Sequence, residues 1–154
     1  MTDSRELSLT RVIEAPAQIL FDCWTQPQLL MKWFTPPPYT VPRVETELRA
    51  GGSSLIVMRS PEGQEIPNRG VYLEVVSGKK LVFTDAYSEA WVPSEKPFMT
   101  VTLTFEDLGN GTTRYTARVM HWTIADKETH EKMGFHVGWG ISTDQLAALA
   151  VSLK

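Results

Sequence analysis

The chain has 154 residues, with 15 Lys and Arg against 18 Asp and Glu, three His and one Cys. A net charge of −3 with no basic stripe argues against a nucleic-acid partner, and the lone Cys23 leaves no internal disulfide. No apolar run reaches membrane-spanning length, and Met1-Thr2-Asp3-Ser4-Arg5-Glu6 carries no apolar leader, so one cytoplasmic domain over residues 1–154 is expected, large enough for a real core.

Residues 7–13 alternate as a strand, and Pro16 then suits the first turn of a helix. Ile19, Leu20, Cys23 and Trp24 follow at helical spacing, which predicts a short amphipathic helix over 16–25. A second is expected over 28–33, with Leu29, Leu30 and Trp33. Thr35-Pro36-Pro37-Pro38 can neither continue a helix nor donate to a ladder, so it is a rigid connector. Strands are predicted over 41–49, 54–59, 69–76, 80–87, 99–106 and 113–122. Short turns separate the first four, Gly51-Gly52 and Ser77-Gly78-Lys79 among them, and Asn110-Gly111 is the strongest hairpin signal. That dipeptide also begins a glycosylation sequon with Thr112, but without a leader it reads as a turn. In 41–49, Val44, Thr46 and Leu48 share one face. In 113–122, Arg114, Thr116 and Arg118 face water, leaving Tyr115, Ala117, Val119 and His121 inward.

Residues 126–153 read as one long helix, with Asp126 as N-cap and Phe135, Trp139, Leu146, Leu149 and Leu153 on one face. Its length would be about 40 Å, against a sheet of seven strands about 30 Å wide. Gly134, Gly138 and Gly140 interrupt it. They predict a kink or late start, or a flat face open to a strand or ligand. Short turns force antiparallel neighbours, and one-sided alternation implies a sheet wet on one face only. With helices on the other face, the class is α+β.

The landmarks along the chain are Pro16 through Trp24, Trp33-Phe34-Thr35-Pro36, Arg49-Ala50-Gly51-Gly52, Gly70-Val71-Tyr72-Leu73-Glu74-Val75, Leu81-Val82-Phe83-Thr84, Val101-Thr102-Leu103-Thr104-Phe105-Glu106, Gly111-Thr112, and Gly138-Trp139 followed by Leu146-Ala147. In this order the chain resembles the helix-grip superfamily of START domains, birch-pollen-allergen-like proteins and polyketide cyclases. Within it, the chain is most similar to the activator of heat-shock ATPase homologue family. The resemblance implies a helix-grip fold: a seven-stranded curled antiparallel sheet wrapped around a long C-terminal helix, two short helices after the first strand, and an internal apolar cavity. A strongly twisted sheet curves away from a straight helix, and side chains need not fill the gap.

Five Trp, four Tyr and six Phe supply such a cavity with rings. Trp33, Phe34, Tyr39, Tyr87, Trp91, Phe135 and Trp139 are the candidates to line or cover it. Asp85 and Tyr87 share parity with Leu81 and Phe83, so they face the cavity if those two do. Glu74 is ambiguous in the same way. His121 ends an inward row; it either orients a ligand or is a rim histidine bonded to backbone, whereas His130 reads as a solvated helix residue. Cys23 reads as core. No metal-ligand spacing, phosphate loop or nucleophile elbow occurs, so no metal or cofactor is expected. Three functions follow. The first is binding of an apolar or aromatic small molecule, in a regulatory or protective role. The second is a cyclase- or hydrolase-type enzyme using His121 with Asp85, Tyr87 or Glu74. The third is a domain acting on a chaperone partner, as the resemblance implies. A homodimer is left open.

Overall fold

Alternation and turn chemistry decide most of the architecture. The computed structural model describes residues 5–154; residues 1–4, part of the N-terminal stretch read for a leader, lie outside the described residues. In chain order the elements are β1 (Glu6–Ile13), α1 (Ala17–Thr25), α2 (Pro27–Leu30), β2 (Thr40–Thr46), β3 (Ser53–Arg59), β4 (Glu65–Val76), β5 (Lys80–Thr84), β6 (Tyr87–Glu89), β7 (Val92–Pro93), β8 (Met99–Gly109), β9 (Thr112–His121), α3 (Ile124–Lys132) and α4 (Phe135–Ser152). Seven strands form one curled antiparallel sheet in the order β1-β9-β8-β5-β4-β3-β2, while β6 and β7 make a separate ribbon. The fold is α+β, a helix-grip arrangement with the apolar interior between sheet and helices.

The hairpin β8–β9 turns at Asn110-Gly111 and pairs Phe105 with Tyr115 and Val101 with Val119. Its inward row is the predicted one: Thr113, Tyr115, Ala117, Val119 and His121 are all fully buried. Val101, Leu103 and Phe105 oppose them from β8. Helix α1 closes the near end with Leu20, Phe21, Cys23 and Trp24. Trp24 is fixed by an indole N–H that donates to the Tyr115 hydroxyl at 3.1 Å. The turn at Arg49-Ala50-Gly51-Gly52 is tied to β4, because Gly51 N–H donates to Tyr72 O at 2.7 Å and Tyr72 N–H to Gly52 O at 2.9 Å. Only glycine fits at position 52: a Cβ there would sit 1.9 Å from the Glu47 carbonyl oxygen.

Several elements differ from the sequence-based expectation. The long C-terminal helix is two helices. Gly134 takes φ +95°, a left-handed conformation that L side chains resist, and it caps α4. The N-cap of α3 is Thr123, whose hydroxyl accepts the Asp126 N–H at 3.0 Å; Asp126 is a first-turn residue. Helix α4 ends at Ser152, so Leu153 lies beyond the core and is exposed, while Leu146 and Ala150 are fully buried. The second short helix stops at Leu30. Strand β2 ends at Thr46 after an irregularity between Thr40 and Arg43, and Leu48 is exposed. Strand β5 ends at Thr84, and Tyr87 belongs to the ribbon. The outer face of the sheet is not uniformly wet. Leu55, Val57 and Val71 alternate with the inward Ile56 and Tyr72, yet all are buried. The ribbon strand β6 packs on β4 and β3 and covers part of that face.

Candidate functional site

The site is built from loop residues held by helix residues. Trp33 and Phe34 follow α2, where the chain turns back over the sheet. The Trp33 indole N–H donates to Cys23 O at 2.9 Å, and its ring stands edge-on to Trp24 with centroids 4.8 Å apart. Helix α4 fixes the backbone: Gln145 Nε2 donates to the carbonyls of Trp33 at 2.8 Å and Thr35 at 2.9 Å, and Ser142 Oγ donates to Phe34 O at 3.0 Å. Each bond satisfies a carbonyl that no ladder could reach. One turn earlier on α4, Trp139 stacks on Phe135 at 5.3 Å.

These groups line an apolar cavity of ≈ 260 Å³ that is open on one side. Trp33, Phe34 and Trp139 form one side of it, and Met58, Met99 and Tyr115 of the sheet form the other. A second lobe of ≈ 300 Å³ adjoins it at Phe34, Asn68 and Met99 and reaches Asp85, Arg69 and Lys96. It lies where β5 stops. Thr84 is the last paired residue, and the chain leaves at Asp85, whose Oδ1 accepts the N–H groups of Phe98 at 2.7 Å and Met99 at 3.0 Å. One carboxylate thus joins both ends of the loop that frames this lobe. Ser94 Oγ, also in the lobe's lining, is buried and has no hydrogen-bond partner among the described residues. A wider groove of ≈ 610 Å³ lies under the ribbon, among Arg43, Glu45, Glu47 and Arg69. Its polar, mixed-charge walls do not suit an apolar ligand.

The structure divides the sequence candidates. Trp33, Phe34 and Trp139 line the first lobe and Asp85 the second. Phe135 is buried behind Trp139. Tyr87 and Trp91 stand edge-on at 5.6 Å on the ribbon, with Trp91 72% exposed, and Tyr39 is exposed; none of the three lines either lobe. His121 is likewise outside the lobes, 1% exposed at the end of β9. Its Nδ1 lies 2.8 Å from the Arg5 carbonyl. That carbonyl can only accept, so Nδ1 carries a proton, and in the neutral ring Nε2 accepts from His130 Nδ1 at 2.8 Å. His121 is a rim histidine bonded to backbone, and both ring nitrogens are occupied. No hydrogen bond joins it to Asp85, Tyr87 or Glu74, and Glu74 pairs instead with Lys80 at 3.0 Å. His130 is not the solvated residue expected. It is half-buried against Phe98 and Phe135, and burial, with the His121 ring next, lowers its pKa to about 4.

Two further groups have their protonation set by burial. The Cys23 thiol is pushed up to about 11, by burial first and Asp22 second, so it is a packed thiol rather than a nucleophile. Burial raises the Tyr115 phenol as well, which keeps its proton on the oxygen. Sequence reasoning missed Met58, Asn68 and Met99 as lining residues. It also missed Ser142 and Gln145, although two polar side chains beside the apolar Leu146 were a signal.

The profile of the family described as "Activator of Hsp90 ATPase homolog 1-like protein" matches residues 14–150. The chain belongs to this family. Among solved structures it is similar to a protein from Nitrosomonas europaea, at 38% identity over 97% of this chain and 96% of that one, with a TM-score of 0.91. A protein from Chromobacterium violaceum shows 25% identity, coverage of 94% and 96%, and a TM-score of 0.77. One from Mycobacterium smegmatis shows 25% identity, coverage of 96% and 91%, and a TM-score of 0.79. No curated protein matches. As a member of the activator-homologue family, the chain shares the helix-grip fold of these neighbours. Among the described residues, no helix is long and apolar enough to cross a membrane.

Proposed function

We propose that this protein binds an apolar or aromatic small molecule in the space between the sheet and α4, in a regulatory or protective role. The observation that carries the reading is the first lobe. Five aromatic side chains (Trp24, Trp33, Phe34, Tyr115 and Trp139) and two methionines border ≈ 260 Å³ that the protein's own side chains leave unfilled. Unfilled apolar volume lowers stability, because its lining atoms lack partners on one side. A ligand supplies those contacts. Methionine side chains adapt to ligand shape, and the fixed backbone of residues 33–35 keeps the rings in place.

The test is a panel of planar aromatic compounds and a hydrophobic dye, read by Trp fluorescence and by thermal shift. Trp33 and Trp139 are in the lining, so a bound ring quenches them. A ligand present at 100 times its Kd adds about 2.7 kcal/mol of stability. At roughly 2–4 °C per kcal/mol for a chain of this size, Tm rises by about 5–10 °C. A broad panel that gives neither quenching nor a thermal shift refutes the proposal.

A further inference from the structure

The hydrogen bond between Trp24 and Tyr115 has a fixed direction. An indole N–H can only donate, so at 3.1 Å the Tyr115 oxygen is the acceptor. The hydroxyl hydrogen of Tyr115 is then still to be placed. Among the described residues, no hydrogen bond donated by this hydroxyl is found, and the ring is 1% exposed. Tyr115 lines the first lobe, whose walls are mostly apolar; of the polar side chains there, the Ser142 and Thr35 hydroxyls donate to the Phe34 and Tyr39 carbonyls and the Asn68 amide donates to the Ile56 and Ile66 carbonyls. Buried donors in folded proteins rarely stay unused. We infer that Tyr115 is the polar recognition group of the cavity, and that the ligand is an aromatic or alicyclic compound carrying a carbonyl oxygen that accepts the Tyr115 O–H.

This assignment rests on the binding reading above and narrows it. A hydrocarbon fills the lobe but leaves the donor unpaired. A ketone, quinone or lactone of the same shape fills it and satisfies the donor. The site also discriminates by geometry. Trp24 holds the phenol oxygen from one side, and the Phe105 ring lies against the phenol with centroids 5.8 Å apart, so the phenol is held in place. A ligand carbonyl therefore meets a phenol oxygen whose place is fixed, and an apolar isostere of the same shape forfeits that bond.

Indanone and indane test this, since they differ by a carbonyl in place of one methylene. Both are titrated into the wild type and into Tyr115→Phe, with affinity read by Trp quenching. In the wild type indanone is the tighter ligand, and its carbonyl stretch in the bound infrared spectrum moves to lower wavenumber than in an apolar solvent. In Tyr115→Phe the ratio of indanone to indane affinity falls by about five- to a hundredfold, the cost of leaving a buried carbonyl unpaired. Indane affinity changes by less than about threefold, as expected for a contact without a hydrogen bond. The variant leaves the Trp24 N–H without its acceptor and is expected to melt lower. For that reason the ratio is compared within each protein, and the infrared shift is measured on the wild type alone. An unchanged ratio, or a bound carbonyl that absorbs as in an apolar solvent, overturns the assignment while leaving the cavity a binding site. Failure of both probes and of the wider panel to bind the wild type overturns the binding reading and this inference together.

Discussion

Gly138 offers a direct way to fill the cavity from within. It lies inside α4, where its N–H donates to the Gly134 carbonyl at 2.8 Å, and it lines the first lobe. A Cβ built on it meets nothing within 4 Å. Two effects of substitution have the same sign. Replacing a helical glycine by alanine, here in the first turn, gains up to about 1 kcal/mol in helix propensity. A leucine adds apolar burial; full burial is worth about 1.5–3 kcal/mol, and a side chain covered on one side by an open lobe gains roughly half of that. Gly138→Ala is therefore expected to raise Tm by about 2–4 °C, and Gly138→Leu by about 4–8 °C. The two variants separate propensity from filling. Alanine leaves the affinity for a hydrophobic dye within about twofold, whereas leucine occupies the space the dye needs and weakens it by tenfold or more. Circular-dichroism melts and dye titrations on the three proteins measure both. A lower Tm for the leucine variant, or unchanged dye binding, would refute the account of the lobe as empty apolar space.

Three other outcomes follow from the packing. Leu146 is fully buried at the centre of α4, so Leu146→Ala should cost about 2–5 kcal/mol by urea denaturation, and a loss under 1 kcal/mol would place the helix core elsewhere. His130 has its pKa lowered from 6.5 to about 4 by burial, so between those pH values the unfolded chain binds a proton that the folded chain does not. Stability then decreases as pH falls through this window and levels off below about pH 4; the full shift corresponds to about 3 kcal/mol, which solvent screening of a half-buried ring reduces to about 1–2 kcal/mol. His130→Gln should flatten that part of the pH–stability curve, and parallel curves for variant and wild type count against it. Ser94→Ala removes a buried hydroxyl that has no partner among the described residues and should leave Tm unchanged or raise it by the equivalent of about 1 kcal/mol, while a clear fall shows that the hydroxyl is bonded.

Local patterns carried far along this chain. Strict alternation placed every inward residue of β9, and Asn110-Gly111 placed the turn that pairs it with β8. What stayed illegible depends on contacts distant in sequence. The alternation of 80–87 runs on past Thr84, but the Asp85 carboxylate takes two amides from the far end of its loop, and that bond turns the chain out of the sheet. Leu55, Val57 and Val71 look like the wrong parity for a sheet with one wet face, and only the packing of β6 on β3 and β4 shows part of what covers them. The glycines at 134 and 138 look alike in sequence; one takes a left-handed conformation and ends the helix, and the other is helical and borders the cavity. Aromatic content foretold a ring-lined interior. It could not separate Trp33, Phe34 and Trp139 from Tyr39, Tyr87 and Trp91, because loop geometry decides where those rings go.

The position of β2 at the end of the sheet has a consequence for self-association. An edge strand offers unpaired backbone groups to any other extended chain, and a second copy of the protein is the nearest supplier. Here that edge is interrupted. Pro42 brings no N–H, and the pairing with β3 is irregular between Thr40 and Arg43, so a straight docking strand loses its register there. Arg43 and Glu45 crowd the same strand with charges of both signs and pair with each other, Glu47 follows just past its end, and α2 packs beside it. Sheet extension across two molecules at β2 is thus designed out. Substituting Pro42 and Glu45 together with valine would remove both obstacles, and the protein would then be expected to aggregate through this strand at concentrations the wild type tolerates.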